Sequence, residues 1–240
     1  MIDIHSHILH DIDDGASSLE ESVRMLHKAK ELGIGTIIAT PHYQENLFET
    51  DAIYRHFEEL KAEAEKIEVS LKLGREVFIN PFLPDLLEKD HSLTLDQSRY
   101  LLLELPYDAI PIYTYEIIFR LQMLKVLPIL AHPERNINLL RNFVEFGRFL
   151  ERGCLVQVEA GSLVGAYGRQ VEEFSEKLIK LNLAHFVASD AHFASDYDNW
   201  YLAAYKKVKR IAGQEYADKL YRENAQMILN NVQESIYEMI

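Results

Sequence analysis

Short apolar runs alternate with longer stretches of helical periodicity along nearly the whole chain, an alternation that predicts repeated βα units. The runs at 1–5, 35–40, 71–78, 100–105, 127–131, 155–159 and 185–189 read as strands. Between them, apolar positions recur three and four residues apart over 18–32, 51–67, 81–89, 113–125, 138–152 and 169–181, and further helices are predicted from Asn199 to the C-terminus. The first helix is also marked at both ends: Glu21 follows Ser18 at capping-box spacing, and Gly33 supplies a stop. Strands alternating with crossover helices form a parallel sheet, and seven of them are enough to close a barrel. In such a sheet the loops that bind ligands gather at the carboxyl ends of the strands.

The composition fits one such domain over 1–240: 48% of residues are apolar, 26% are charged, and no linker, repeat or low-complexity tract interrupts the pattern. Asp3 stands where a secretion signal carries bases, and no apolar run reaches membrane-spanning length, so the expectation is a soluble, cytoplasmic protein with no membrane insertion. Cys154 is the single cysteine, which rules out an internal disulfide. It also argues against a thiolate phosphatase, because Ala160 occupies the place six residues on where an arginine is needed. The net charge of −13 disfavours binding to nucleic acid, although three bound dications would cancel six of those charges.

Candidate chemistry collects where the strands end. His5-Ser6-His7 follows the first strand, and residues two apart on extended chain face the same side, so both rings can reach one ion. The second strand runs into Thr40-Pro41-His42, the third carries Glu76, the fourth closes at Glu104, and the fifth leads into His132-Pro133-Glu134-Arg135. After the seventh comes Ser189-Asp190-Ala191-His192, a second pair at spacing two. By contrast, His27 and His56 lie within helices, His185 begins a strand and His91 sits in a loop, and these four read as ordinary surface or core residues. Imidazoles mixed with carboxylates suit zinc, manganese or iron rather than calcium or magnesium, and so many donors imply two or three ions with a bridging carboxylate.

The strings His5-Ser6-His7, Asp13-Asp14-Gly15, Thr40-Pro41-His42, Gly74-Arg75-Glu76, His132-Pro133-Glu134-Arg135 and Ser189-Asp190-Ala191-His192, in this order and spacing, resemble the polymerase-and-histidinol-phosphatase (PHP) superfamily. Within it the chain is most similar to the bacterial capsular-polysaccharide protein-tyrosine phosphatases, over nearly its whole length. The resemblance implies a distorted seven-stranded (β/α) barrel of the TIM-like kind, with two or three divalent ions that are manganese, or else zinc or iron. It implies one ion on His5, His7, Glu76 and Asp190, a second on Glu104 and His132 bridged by Glu76, and a third on Asp14, His42 and His192. Asp11, Asp13 and His10 share the loop of Asp14, and only the family pattern selects Asp14 among them. The matching family position gives Arg135 a phosphate-binding role, against the alternative of a surface salt bridge with Glu134 or a neighbour. Asp3 shares a strand face with His5 and is expected either to orient an imidazole or to pair elsewhere in the barrel.

Divalent ions would lower the pKa of a bridging water, giving a hydroxide that attacks phosphorus in line, so no protein nucleophile is required. A phenol leaving group has a pKa of about 10, far below that of an alkyl alcohol, which favours an aryl phosphate where no separate general acid is evident. The resemblance implies phosphotyrosine on the tail of a bacterial autokinase controlling exopolysaccharide export and capsule biosynthesis. The chain departs from that pattern in two places. Phe193-Ala194-Ser195-Asp196 stands where relatives carry basic residues, and Glu159 replaces a residue that is usually uncharged. Tyr43, Phe48, Tyr107, Tyr113 and Tyr115 are placed to pack on a peptide or simply on the barrel rim. The alternatives are a phosphoesterase acting on histidinol phosphate or another small molecule, a nuclease-like module, and a non-catalytic kinase-binding adaptor.

Overall fold

In a computed structural model that describes residues 1–43, 50–89 and 91–231, all seven apolar runs form strands, and two of them continue past a break. The strands are β1 (Ile2–Ser6), β2 (Thr36–Ala39), β3 (His42–Tyr43), β4 (Ser70–Leu73), β5 (Glu76–Phe78), β6 (Tyr100–Glu104), β7 (Leu127–Ala131), β8 (Leu155–Glu159) and β9 (Phe186–Ala188). Pro41 has no N–H to give a ladder and separates β2 from β3. Gly74-Arg75 separates β4 from β5, and Leu95 packs so closely on Gly74 that a Cβ there would lie 2.8 Å from its Cδ2.

Every pairing is parallel, in one sheet of order β1-β2-β4 and one of order β3-β5-β6-β7-β8-β9. Because β2/β3 and β4/β5 are successive pieces of two runs, the strand order passes from one sheet into the other in chain order. It then returns to its start. Asp190 N donates to His5 O and His7 N to Ala191 O, both at 2.9 Å, and Ser6 forms a single parallel bridge with Ala191. The expected distorted (β/α) barrel is therefore present, with β9 and β1 joined by one bridge instead of a ladder.

Period-two alternation sorts the strand residues into two apolar layers. Tyr100, Leu102, Leu127, Ile129, Leu155, Phe186 and Ala188 share a small inner cluster. Leu101, Leu103, Leu130, Val156, Val158 and Val187 face the larger cluster that includes helix residues such as Met25, Leu60 and Ile117. The inner stripe changes character as each strand ends: Tyr100 and Leu102 lead to Glu104, Leu155 to Gln157 and Glu159, and Phe186 and Ala188 to Asp190. One periodicity thus fills the barrel and delivers polar groups to its mouth.

The helices are α1 (Leu19–Glu31), α2 (Thr50–Ile67), α3 (Leu83–Leu87), α4 (Thr114–Met123), α5 (Ile137–Arg141), α6 (Phe143–Glu151), α7 (Ala160–Leu163) and α8 (Arg169–Lys180), followed by helical turns from Ala194 to Leu229. Ser18 caps α1 by accepting from Glu21 N at 3.2 Å, but the reciprocal half of the box is absent because the Glu21 carboxylate goes to Arg24 and to Ala194 N. The helix expected over 138–152 is two helices. Asn136 caps the first and Asn142 the second, each accepting backbone N–H bonds with its own side chain. The short α7 has no counterpart among the expected elements. Phe48 and positions 232–240 of the expected C-terminal helix lie outside the described residues.

Candidate metal centre

Four donors converge where β1 and β9 end and β5 begins. His5 Nε2 and His7 Nε2 lie 3.2 Å apart; each is 3.3 Å from Glu76 Oε2, and they are 3.1 and 3.2 Å from Asp190 Oδ1. All four side chains are buried, with exposures of 0 to 3%. The other ring nitrogens are already committed: His5 Nδ1 is 3.0 Å from Gln157 Oε1, and His7 Nδ1 is 2.8 Å from Asp13 Oδ2. Those partners are acceptors, so each Nδ1 carries a proton and each Nε2 turns a lone pair inward. Glu76 Oε2 and Asp190 Oδ1 accept no hydrogen bond. Four lone-pair donors about 3 Å apart in a buried space repel one another unless a cation lies between them, and that spacing suits donors about 2 Å from a first-row divalent ion.

The charges lead to the same requirement. Burial opposes protonation of His5, but Glu76 and Asp190 outweigh it and raise its pKa well above the usual value. His7 is raised in the same way against its burial, chiefly by Asp13. Despite burial, Glu76 and Asp190 are both held well below the usual carboxylate range, chiefly by His5. The pocket demands positive charge at its centre.

Glu76 continues the constellation. Its Oε1 is 2.8 Å from His132 Nε2, while Oε2 is 3.0 Å from His42 Nδ1. The parallel register that pairs His42 with Glu76 makes these two side chains neighbours. Glu104 Oε2 lies 4.0 Å from His42 Nδ1, and its pKa is raised by burial and by the Glu76 charge. Asp14 Oδ1 is 3.4 Å from both His42 Nε2 and His192 Nε2, and those two contacts hold its carboxyl well below the usual range. Three groups with metal-holding geometry result: His5, His7, Glu76 and Asp190; His7, Asp14, His42 and His192; and His42, Glu76 and Glu104. His42 belongs to two of them, and His132, outside all three, meets the constellation at Glu76 Oε1 and through a ring contact with His5 at 5.7 Å.

The loop alternatives separate clearly. Asp13 spends Oδ2 on His7 and on His42 N, and Oδ1 on Gly15 N, so Asp14 is left facing the two imidazoles. His10 turns away to stack on His56 at 4.2 Å, and Asp11 is exposed. Asp3 does not orient a ring, in contrast to the first of its two expected roles. It accepts from Ser189 N and Oγ and from Tyr197 OH behind the strands, the alternative of a buried acid paired elsewhere. The ring-orienting groups are Gln157 and Asp13. Gln157 carried no titratable signal, and its one clue was its place on the inner stripe of β8 between Leu155 and Glu159. His27 and His91 are exposed, and His185 is buried with Nδ1 accepting from Val156 N at 3.1 Å.

Backbone strain gathers here as well. His132 and Asp190 take positive φ values of 30° and 51°, conformations that side-chain-bearing residues avoid unless the surroundings enforce them.

Arg135 is not on the open surface, and Glu134 is not its partner. Its Nη1 donates to Glu159 Oε2 and to Asp190 Oδ2, each at 3.1 Å, and its guanidinium lies 4.9 and 4.3 Å from the ring centroids of Tyr107 and Tyr167. Burial and the Asp190 charge push the Glu159 carboxyl up to about 8 despite Arg135. Of the other rim aromatics, Tyr115 is taken up by Glu145, Phe149 and Arg152, while Tyr43 and Tyr113 pack partly buried against the core.

Residues 1–230 match the family described as capsular polysaccharide synthesis, CpsB/CapC. The tyrosine-protein phosphatase YwqE of Bacillus subtilis (strain 168) is 35% identical over 235 residues, spanning 96% of this chain and 92% of its own. A solved structure from work on YwqE of Bacillus subtilis and CpsB of Streptococcus pneumoniae, called unique metal-dependent tyrosine phosphatases, has a TM-score of 0.91 at 35% identity and covers 98% of this chain and 96% of its own. At 12% identity and a TM-score of 0.57, histidinol phosphate phosphatase from Lactococcus lactis shares the fold over 90% of this chain and 93% of its own.

Proposed function

The chain belongs to the CpsB/CapC family of capsular polysaccharide synthesis, and from that premise we propose that it is a metal-dependent protein-tyrosine phosphatase. The observation that carries this reading is the convergence of His5, His7, Glu76 and Asp190 on one buried point, in a chain similar over nearly all its length to tyrosine phosphatases.

His5, His7, Glu76 and Asp190 would hold one ion, Glu104 and His132 with a share of Glu76 a second, and Asp14, His42 and His192 a third. The two oxygens of Glu76 face different partners, which supports the shared role. The chemistry supplied by divalent ions held there, manganese being the first choice and zinc or iron the alternatives, would be positive charge for phosphoryl oxygens and a more acidic water near neutral pH. The chain's own residues do the rest. Gln157 and Asp13 fix the two imidazoles, and Arg135 receives a nonbridging phosphoryl oxygen and stabilises its developing charge. The phenolate of phosphotyrosine leaves without a dedicated acid, since its conjugate acid has a pKa of about 10.

The proposed substrate is a phosphotyrosine-bearing bacterial autokinase, met in the cytoplasm by a protein that acts as one domain over 1–240. Among the described residues no helix is long and apolar enough to cross a membrane. The net charge of −13 weighs against a nucleic-acid substrate.

The test compares metal-stripped and manganese-loaded protein on para-nitrophenyl phosphate, a phosphotyrosine peptide, histidinol phosphate and single-stranded DNA, with elemental analysis alongside. Turnover of the first two, lost on chelation and restored by manganese, is expected. Activity confined to the last two would move the protein to another substrate class, and no turnover with any divalent ion would make it a kinase-binding adaptor.

A further inference from the structure

Glu159 is a fully buried acid at the end of β8 that takes no part in the ligand groups, and its surroundings are built for it. Its backbone N–H donates to Glu134 Oε1 at 2.8 Å, which pins the strand end. Its Oε1 accepts from the Tyr167 hydroxyl, and its Oε2 accepts from Arg135 Nη1 at 3.1 Å. Tyr167 in turn lays its ring against the Arg135 guanidinium, 4.3 Å from centroid to Cζ, and meets Trp200 edge-on at 6.1 Å. Gly161 lets the two close together: a Cβ there would stand 3.0 Å from Glu159 Oε1 and 3.1 Å from Tyr167 Cε2.

We infer that Glu159 and Tyr167 are positioning residues for Arg135, holding the guanidinium at the angle in which it receives the phosphoryl group. This rests on the reading of Arg135 as that receiver. The bonds to Glu159 and Asp190 both leave from Nη1, so they use two of the five N–H donors and fix one corner of a planar group. Tyr107 and Tyr167 fix its plane. With one corner and the plane set, Nε and the second terminal nitrogen have donors to spare for an oxyanion, and the rotational freedom of a long side chain is already removed before substrate arrives. Glu159 acts here through hydrogen-bond geometry, with one oxygen on Arg135 and the other on Tyr167.

The experiment measures KM and kcat for a phosphotyrosine peptide, and inhibition by inorganic phosphate, in R135A, E159A, E159Q and Y167F, with bound metal and circular dichroism recorded for each. E159A and Y167F are expected to raise KM and the phosphate inhibition constant roughly tenfold with kcat within about threefold, and E159Q to stay near wild type. Y167F removes one hydroxyl from a partly exposed ring and keeps the test open should E159A fail to fold. If R135A weakens phosphate binding while Y167F and every folded Glu159 variant leave it unchanged, the positioning role is wrong and the reading of Arg135 stands. Unchanged phosphate binding in R135A itself removes the receiver reading and this inference with it. Metal loss in E159A or Y167F, in place of the KM change, would overturn the inference by assigning the pair to the cluster through Asp190.

Discussion

Asp13 accepts the Nδ1 proton of His7 at 2.8 Å and thereby turns the opposite nitrogen of the ring toward Glu76 and Asp190. The same oxygen accepts His42 N–H at 2.9 Å, so one carboxylate sets a ring and the start of β3 together. Asp13→Ala is expected to weaken metal retention about 10- to 100-fold, measured by competition with a chelator, while the protein stays folded. Gln157→Leu should do the same through His5, since it removes the acceptor 3.0 Å from Nδ1. Wild-type retention in both variants would leave the rings oriented by the barrel alone.

Glu76 and His192 differ in how many groups they serve. Glu76 Oε1 faces His132, and its Oε2 faces His5, His7 and His42, whereas His192 Nε2 faces Asp14. Glu76→Ala should therefore lower the number of bound ions by two and abolish turnover, and His192→Ala should lower it by one. Elemental analysis of the purified variants checks this; equal losses would mean that Glu76 is not shared.

His185 gives the barrel a dependence on pH that is separate from the site. Burial holds its pKa at about 4, below the ordinary value of 6.5, and Nδ1 can accept from Val156 N only while it is unprotonated. The unfolded chain therefore binds a proton that the folded chain refuses between pH 6.5 and 4. Stability is fully present above 6.5 and falls as the pH drops through that window, by about 3 kcal/mol at its lower end. His185→Asn keeps an acceptor without the titration. Urea unfolding of the two proteins should show a difference that shrinks from pH 7 to pH 4, and parallel curves would contradict the assignment.

Much of this architecture could be read from the sequence because alternation and loop position are local properties. All seven apolar runs became strands, two of them in two pieces, and the His-Ser-His and Asp-Ala-His spacings placed two donor pairs on neighbouring strand ends. Hidden were features decided by what lies across the barrel. Alternation puts Asp3 and His5 on one face, but the register of β1 shifts between Asp3 and Ser6, and Asp3 is taken by Ser189 and Tyr197. Gln157 matters only because β8 brings it beside His5, and Glu159 only because Arg135 and Tyr167 close on it. The break at Asn142 was missed because its side chain caps α6, a local signal masked by apolar periodicity that runs straight through.

Gly15 completes the Asp13-Asp14-Gly15 string for a steric reason. A Cβ at this position would lie 2.1 Å from the His7 carbonyl oxygen and 2.5 Å from His7 Cβ, so the loop crosses the chain just past β1 where only hydrogen fits. Gly15→Ala must push the loop off His7, breaking the bond from Ala16 N to His7 O and moving Asp13 and Asp14 together. A loss of about 1–3 kcal/mol in stability is expected, together with reduced metal content. A thermal melt and metal analysis equal to wild type would show that the crossing relaxes freely.

The bridge between Ser6 and Ala191 joins segments that are far apart in the sequence, with His5 and Asp190 beside it on either side of the seam. The ribosome therefore makes the first imidazoles long before the carboxylate they face, and the four-donor cavity can close only once β9 has been added. A product truncated before β9 would lack Asp190 and could not close that cavity.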